Sequence, residues 1–277
     1  MFFPLTDHKS AGKKQCVGLG GISLLASVAA CGVLIGIAVG ATGIGGVLLV
    51  PFLTLTLGIP VKNAIAAALM AYLPAGTVAV VLYARRGSIP WREARWICLA
   101  AAPAAYLGAL GASMAPAALL EALIGMLLLA GGLHALRRGR SMPVTIRPLT
   151  PLALSGLGGV TALASAMTGA GGAFVLVPLL LLLDAPVLSA IGLGQAIALP
   201  IAATASATNL AAGLVDLPLA ALLTISLAIG VAIGTPIAHA LPQHRLRWLL
   251  ATVTIVAGVA MLCRTMVTLI ASVIASV

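Results

Sequence analysis

Solid apolar runs, separated by short polar clusters, make up the pattern along this chain. Residues 16–61, 63–84, 96–120, 148–183, 185–215 and 217–238 contain no Asp, Glu, Lys or Arg. Each run is long enough to cross a hydrocarbon core of about 30 Å. The runs are unbroken Ala, Leu, Gly and Val rather than the alternating apolar and polar positions of a membrane barrel, so they predict helices. In the first part of the chain the expected segments are 17–40, 45–58, 62–83, 93–113 and 117–136. In the second they are 150–166, 171–183, 187–210, 217–239 and 246–263.

The most conspicuous interruption is "ATGIGGVLLVP" at 41–51, where Gly43, Gly45, Gly46 and Pro51 break an otherwise wholly apolar stretch. A second copy, "MTGAGGAFVLVP", stands at 167–178. Shifting the chain by 126 positions aligns Thr42 with Thr168, Gly43 with Gly169, Gly45 with Gly171 and Gly46 with Gly172. The same shift pairs Pro60 with Pro186, Pro74 with Pro200, Gly87 with Gly213, Gly108 with Gly234 and Gly132 with Gly258. Ala and Leu coincide by chance in so apolar a chain, but Gly and Pro do not coincide repeatedly at one offset. The chain therefore reads as two repeat halves, 1–138 with an N-terminal tail and 149–277, joined by a basic linker at 139–148.

Two architectures follow. The stretch from Gly46 to Gly58 holds 13 residues, about 20 Å of helix, which is short for a full span. That favours eight full transmembrane helices plus two short Gly-broken, re-entrant helices, with the halves parallel. Ten helices arranged as a 5+5 inverted repeat is the alternative. With an internal N-terminus the first places Arg85, Arg86, Arg92, Arg95, Arg137, Arg138, Arg140 and Arg147 on the cytoplasmic side, as the positive-inside rule asks, and leaves Lys62, Arg245 and Arg247 outside. The second rescues Arg245 and Arg247 but exports Lys9, Lys13, Lys14 and Arg264.

Composition agrees with an all-α integral membrane protein: 62% of residues are hydrophobic, 7% are charged and mean hydropathy is +1.21, outside the soluble range. The net charge of +10 sits in loop clusters, which topology explains without nucleic acid. Cys16, Cys31, Cys98 and Cys263 are scattered, with neither metal-ligand nor disulfide spacing. "VAAC" at 28–31 resembles a lipoprotein cleavage box, but the apolar run continues past Cys31, so an uncleaved first span is expected.

A Gly-rich break at membrane depth leaves backbone groups unpaired, and each costs several kcal/mol in lipid. Such a break persists only beside protein or a water-filled cavity, and two at matching positions point to one central site. A helix opening at Gly45–Gly46 or Gly171–Gly172 presents free N–H groups and the positive end of its dipole, which suits an anion. Thr42 and Thr168 stand in cap position, able to bond the freed backbone or a ligand. Tight helix packing by small residues is the competing explanation of a single break; duplication favours a site. A dinucleotide fingerprint is excluded, since no strand precedes "GATGIGG" and no acid follows at ribose distance.

Among polar residues within spans, Gln195, Thr204, Ser206, Thr208 and Asn209 lie in the third segment of the second half, and Tyr72, Thr77 and Tyr83 in its first-half counterpart. Gln195 ranks first because it lies nearest the short helix in chain order. Asp7, Glu93, Glu121, Asp184 and Asp216 all lie outside or at the ends of spans, which argues against a cation pump. His134 and His239 stand at helix ends beside basic loops, more as interfacial residues than as a proton relay, and Trp91, Trp96 and Trp248 read as interfacial anchors. No catalytic triad or metal cluster is present, so no enzyme, cofactor or metal is expected.

"TGIGGVLLVP", "TGAGGAFVLVP", "ARRGSIPWREA", "NLAAGLVDLPLA" and "GVAIGTPIA", in this order and duplicated, resemble the sulfite exporter TauE/SafE family across residues 30–264. The resemblance implies a multi-pass permease of the bacterial inner membrane that moves sulfite, organosulfonates or other small anions. The family's glycine motif falls on Gly43, Gly45 and Gly46 and again on Gly169, Gly171 and Gly172; Val47 and Ala173 depart from the small residue usual after each pair. The expected substrate-binding set is Thr42, Gly43, Gly45, Gly46, Thr168, Gly169, Gly171, Gly172, Gln195 and Asn209. Expected partners are a small anionic substrate and the lipid bilayer, with a homo-oligomer left open. Export is favoured if membrane potential drives the anion, at about 2.3 kcal/mol per charge per 100 mV. A channel, an uptake permease for another anion, and a non-transporting scaffold or sensor are the alternatives.

Overall fold

Prolines and glycines punctuate the chain where the apolar pattern pauses. Pro60 and Pro186 begin helices with φ −53° and −56°, the angle the pyrrolidine ring imposes anyway. Gly87 and Gly213 follow helix ends in the left-handed region, at φ +66° and +68°, where a Cβ is penalised. Asp216 caps another start by accepting from the Leu219 N–H at 3.3 Å.

In the computed structural model, which describes residues 19–44, 46–111, 117–137, 149–168 and 171–275, these signals delimit ten helices. They are α1 Leu19–Thr42, α2 Gly46–Leu57, α3 Val61–Arg85, α4 Trp91–Gly111, α5 Ala117–Arg137, α6 Pro151–Thr168, α7 Gly172–Leu182, α8 Val187–Ala211, α9 Leu217–Ala240 and α10 Gln243–Ala275. No strand occurs among the described residues. Most ends fall within two residues of expectation. The exception is α10, expected to stop at 263; it continues past Arg264 because one charge does not end a helix and no Gly or Pro follows Gly258. The stretches Lys62–Arg85, Val187–Ala211, Leu217–Ala240 and Gln243–Val267 are each long and apolar enough to cross a membrane unaided. The expected linker 139–148 lies outside the described residues.

Small residues set the closest packing. A Cβ on Gly36 would stand 2.6 Å from the Leu227 carbonyl, and one on Gly40 2.7 Å from the Val231 carbonyl. Rising numbers on α1 therefore meet rising numbers on α9, and the two run parallel. In the same way α4 and α6 run parallel, with Gly158 against Ile97 and Gly108 against Leu163. The two seams match position for position: Gly234 lies against Ile37 as Gly108 lies against Leu163, each residue 126 positions from its counterpart.

Two other seams join counterpart helices directly, and both are antiparallel. Between α3 and α8, Asn63 Nδ2 donates to the Leu214 carbonyl at 3.1 Å, Gly76 meets Leu199, and Gly192 meets Ser88. Between α5 and α10, Gly125 meets Leu262 while Gly132 meets Ile255. One end of the bundle thus gathers the close of α3, the close of α9 through Ser88 and His239, and the close of α5 through His134 and Asp184. That end carries Arg85, Arg86, Arg92, Arg95, Arg137, Arg245 and Arg247.

The short helices are not equivalent. Apolar on every side, α7 is buried along most of its length, as an all-round apolar helix inside protein should be. It lies against α8, α5 and α6, whereas α2 rests on α3 and α1. Phe174 of α7 is 0% exposed and its counterpart Leu48 of α2 is 53% exposed.

Candidate functional site

Both Gly-rich breaks interrupt the chain inside the bundle. At the first, Gly43 adopts φ +77° and its N–H donates to the Val39 carbonyl at 2.8 Å. The Thr42 hydroxyl, 1% exposed, donates to the Ala38 carbonyl at 2.7 Å and accepts from the Ile44 N–H at 3.2 Å. Thr42 thus serves the freed backbone, one of the two roles expected of it. At the second break Gly171 has φ +81° and ψ 147°, a region open essentially to glycine alone. Its carbonyl accepts from the Ser165 hydroxyl at 3.1 Å and from the Phe174 N–H at 3.3 Å.

Gly172 begins α7 packed on Ile197 and Ile201 of α8, while Gly194 sits on Ala173 and Val177. The N-terminus of α7 therefore lies beside the middle of α8, about 18 Å along its axis from its start. There a cavity of ≈ 30 Å³ opens, bounded by α1, α3, α7 and α8. Val39, Gly43, Gly171, Gly172 and Ala173 form part of its wall. The rest is four pairs of positions related by 126 residues: Leu69 and Gln195, Tyr72 and Ala198, Ala75 and Ile201, Gly76 and Ala202. Within each half of that wall lies a helix proline, Pro74 or Pro200; each removes the N–H that would have bonded the carbonyl one turn earlier.

Two side chains give the wall hydrogen-bonding character. Gln195 is 2% exposed, and its Nε2 donates to the Val39 carbonyl at 2.8 Å, so that oxygen receives both the amide and the Gly43 N–H. Tyr72 is 7% exposed. Neither counterpart is polar in the same way, since Leu69 corresponds to Gln195 and Ala198 to Tyr72. Among the described residues, no carboxylate and no cationic side chain lines the cavity. The cavity has room for roughly two waters.

Of the expected residues, Gly43, Gly171, Gly172 and Gln195 are brought together around the cavity. Gly45 and Gly169 lie outside the described residues, while Gly46 begins α2 and Thr168 ends α6. Asn209 does not line the cavity; it lies 14 residues beyond Gln195 in α8, about 21 Å along the axis. Tyr72 and the Val39 carbonyl join the wall instead. Tyr72 had a signal, a phenol in an apolar run, whereas a backbone carbonyl has none until the break exposes it. No group of three or more His, Cys, Asp or Glu able to hold a metal occurs among the described residues.

Long apolar helices, breaks within the bundle and a partly open, mildly polar cavity between counterpart helices are the features expected of an all-helical membrane transporter. Within that class, the family model for the sulfite exporter TauE/SafE matches residues 28–261, and the chain belongs to that family. No curated protein and no solved structure matches it.

Proposed function

We propose that this protein is a secondary transporter exporting a small sulfur oxyanion, sulfite or an organosulfonate, held at the cavity between the paired breaks. The cavity wall carries the reading: the N-terminus of α7 at Gly171–Gly172 and the amide of Gln195 converge on one space. Helix N-termini supply N–H donors and positive potential without a formal charge. A neutral, donor-lined site suits an anion that must also leave. Thr42 supports the break beside it, and Gly46 opens the other short helix. Asn209 drops out of the site.

We further propose that the halves are inverted, 5+5, in place of eight crossings with two re-entrant helices. Support comes from the antiparallel runs of α3 with α8 and α5 with α10, because counterpart helices oppose each other only when each half reverses the chain an odd number of times. The basic end is then cytoplasmic, in a bacterial inner membrane. A cavity with room for about two waters is too tight for an oxyanion of four heavy atoms, so loading requires the helices flanking Pro74 and Pro200 to part.

Purified protein in proteoliposomes tests this. Labelled sulfite and methanesulfonate should exchange against internal unlabelled anion and saturate. Flux without counterflow or saturation would make the protein a channel, and no movement of either probe, nor of any anion in a small-oxyanion panel, would refute transport.

A further inference from the structure

We propose that His239 is a positioning residue that makes transport respond to pH at the basic end of the bundle; the inference rests on the transport reading above. Next to the last residue of α9, His239 has both ring nitrogens engaged. Nδ1 lies 2.8 Å from the Thr235 carbonyl, which can only accept, so the neutral ring carries its proton on Nδ1. Nε2, 2.9 Å from the Ser88 hydroxyl, is then the acceptor. The ring also packs on Tyr83, centroid to centroid 4.8 Å.

From that contact a short series of bonds reaches the cavity. Tyr83, 0% exposed, donates its hydroxyl to the Gly40 carbonyl at 2.9 Å. Gly40 adjoins Val39, whose carbonyl bonds Gln195 in the cavity wall. His239 therefore holds the strut that sets the end of α1 over the proposed site. The fully buried hydroxyl of Thr235, one turn before His239, has no partner, a further polar point between the ring and α1.

Protonation changes this contact in a definite way. Nε2 becomes a donor, and the Ser88 hydroxyl must turn its hydrogen away. The new cation faces Arg86, whose Nη1 donates to the same Thr235 carbonyl at 3.4 Å, and like charges on one acceptor repel. The helices packed along α9 are α3 and α1. Facing His239 from α3 and its following turn are Tyr83, Arg86 and Ser88. From α1 comes backbone near Gly40; its sole ionisable side chain, Cys31, is nine residues away. No other ionisable group lies in α9. No carboxylate among the described residues pairs with His239 or Arg86, so the Arg86 bond yields and the closure of α3 on α9 loosens.

The test is counterflow of labelled methanesulfonate, whose charge is constant over the range, at equal internal and external pH from about 5.5 to 8. The wild type should change rate at least about fivefold along one titration. His239→Gln should be nearly flat while still exchanging anion, and Arg86→Gln should lose most of the pH response too, because no cation remains for the charged ring to repel. A flat wild-type profile, an unaltered slope in His239→Gln, or a full wild-type response in Arg86→Gln each overturns the proposal. Should His239→Gln fail to fold, the Arg86→Gln profile decides. A wild type that moves neither methanesulfonate nor sulfite removes the transport reading itself, and this inference with it.

Discussion

Replacing Gln195 by leucine copies into α8 the residue that α3 carries at the counterpart position, Leu69. Volume is nearly conserved, and the Val39 carbonyl keeps its bond from the Gly43 N–H at 2.8 Å, so no buried acceptor is orphaned. The folding cost is then the net value of one hydrogen bond, about 1 kcal/mol, partly offset by removing a buried amide. Anion binding should suffer more. A hydrogen bond to a charged group contributes about 1.5–3 kcal/mol, which at 1.4 kcal/mol per decade is a loss of roughly ten- to hundredfold in affinity. The assay pairs thermal unfolding in detergent with the half-saturation concentration for counterflow. A small shift in unfolding with a large rise in half-saturation is expected. Gln195→Glu should abolish binding altogether, because it places a carboxylate against the anion. An unchanged half-saturation in Gln195→Leu would show that the amide only braces Val39, and would refute its role as a ligand.

Gly171→Ala puts a Cβ into open space, but at φ +81°; backbone strain alone should cost about 1–3 kcal/mol of stability, read as a lower unfolding temperature. Gly230→Val should prevent folding, because its Cβ would overlap the Val33 carbonyl on α1. Gly156→Ala, with nothing within 4 Å of the new atom, should be tolerated or should stabilise α6 by up to about 1 kcal/mol; size-exclusion profiles separate the two glycines. Asp216→Ala removes the cap of α9 and should cost about 0.5–2 kcal/mol without altering half-saturation for the anion.

Much of this architecture is legible along the chain because membrane helices declare themselves by run length, and their ends by proline and glycine. Pro60, Gly87, Pro186 and Gly213 mark ends that the backbone dihedrals match. Gln195 could be singled out as a rare amide in an apolar run. Asn209 entered the expected set on the same ground of polarity within a span, yet 14 residues of helix carry it about 21 Å away. Polarity within a span signals a buried partner but not which one.

The sequence by itself determined that the protein is helical and membrane-embedded, where most of its helices begin and end, and that two glycine breaks stand 126 residues apart. Local chemistry suffices for those, since hydropathy, ring-fixed φ and the absence of Cβ act within a few residues. Only the tertiary structure decided that α3 opposes α8, that Gly43 and Gly171 share one cavity, that α7 is buried where α2 is exposed, and that His239 reaches α1 through Tyr83. Those relations depend on which helix faces meet, and in a chain so uniformly apolar almost any face is greasy enough to pack. Close approach at Gly36, Gly40, Gly108 and Gly234 selects among them, because dispersion between backbones falls off within an ångström and cannot be read from one strand of sequence.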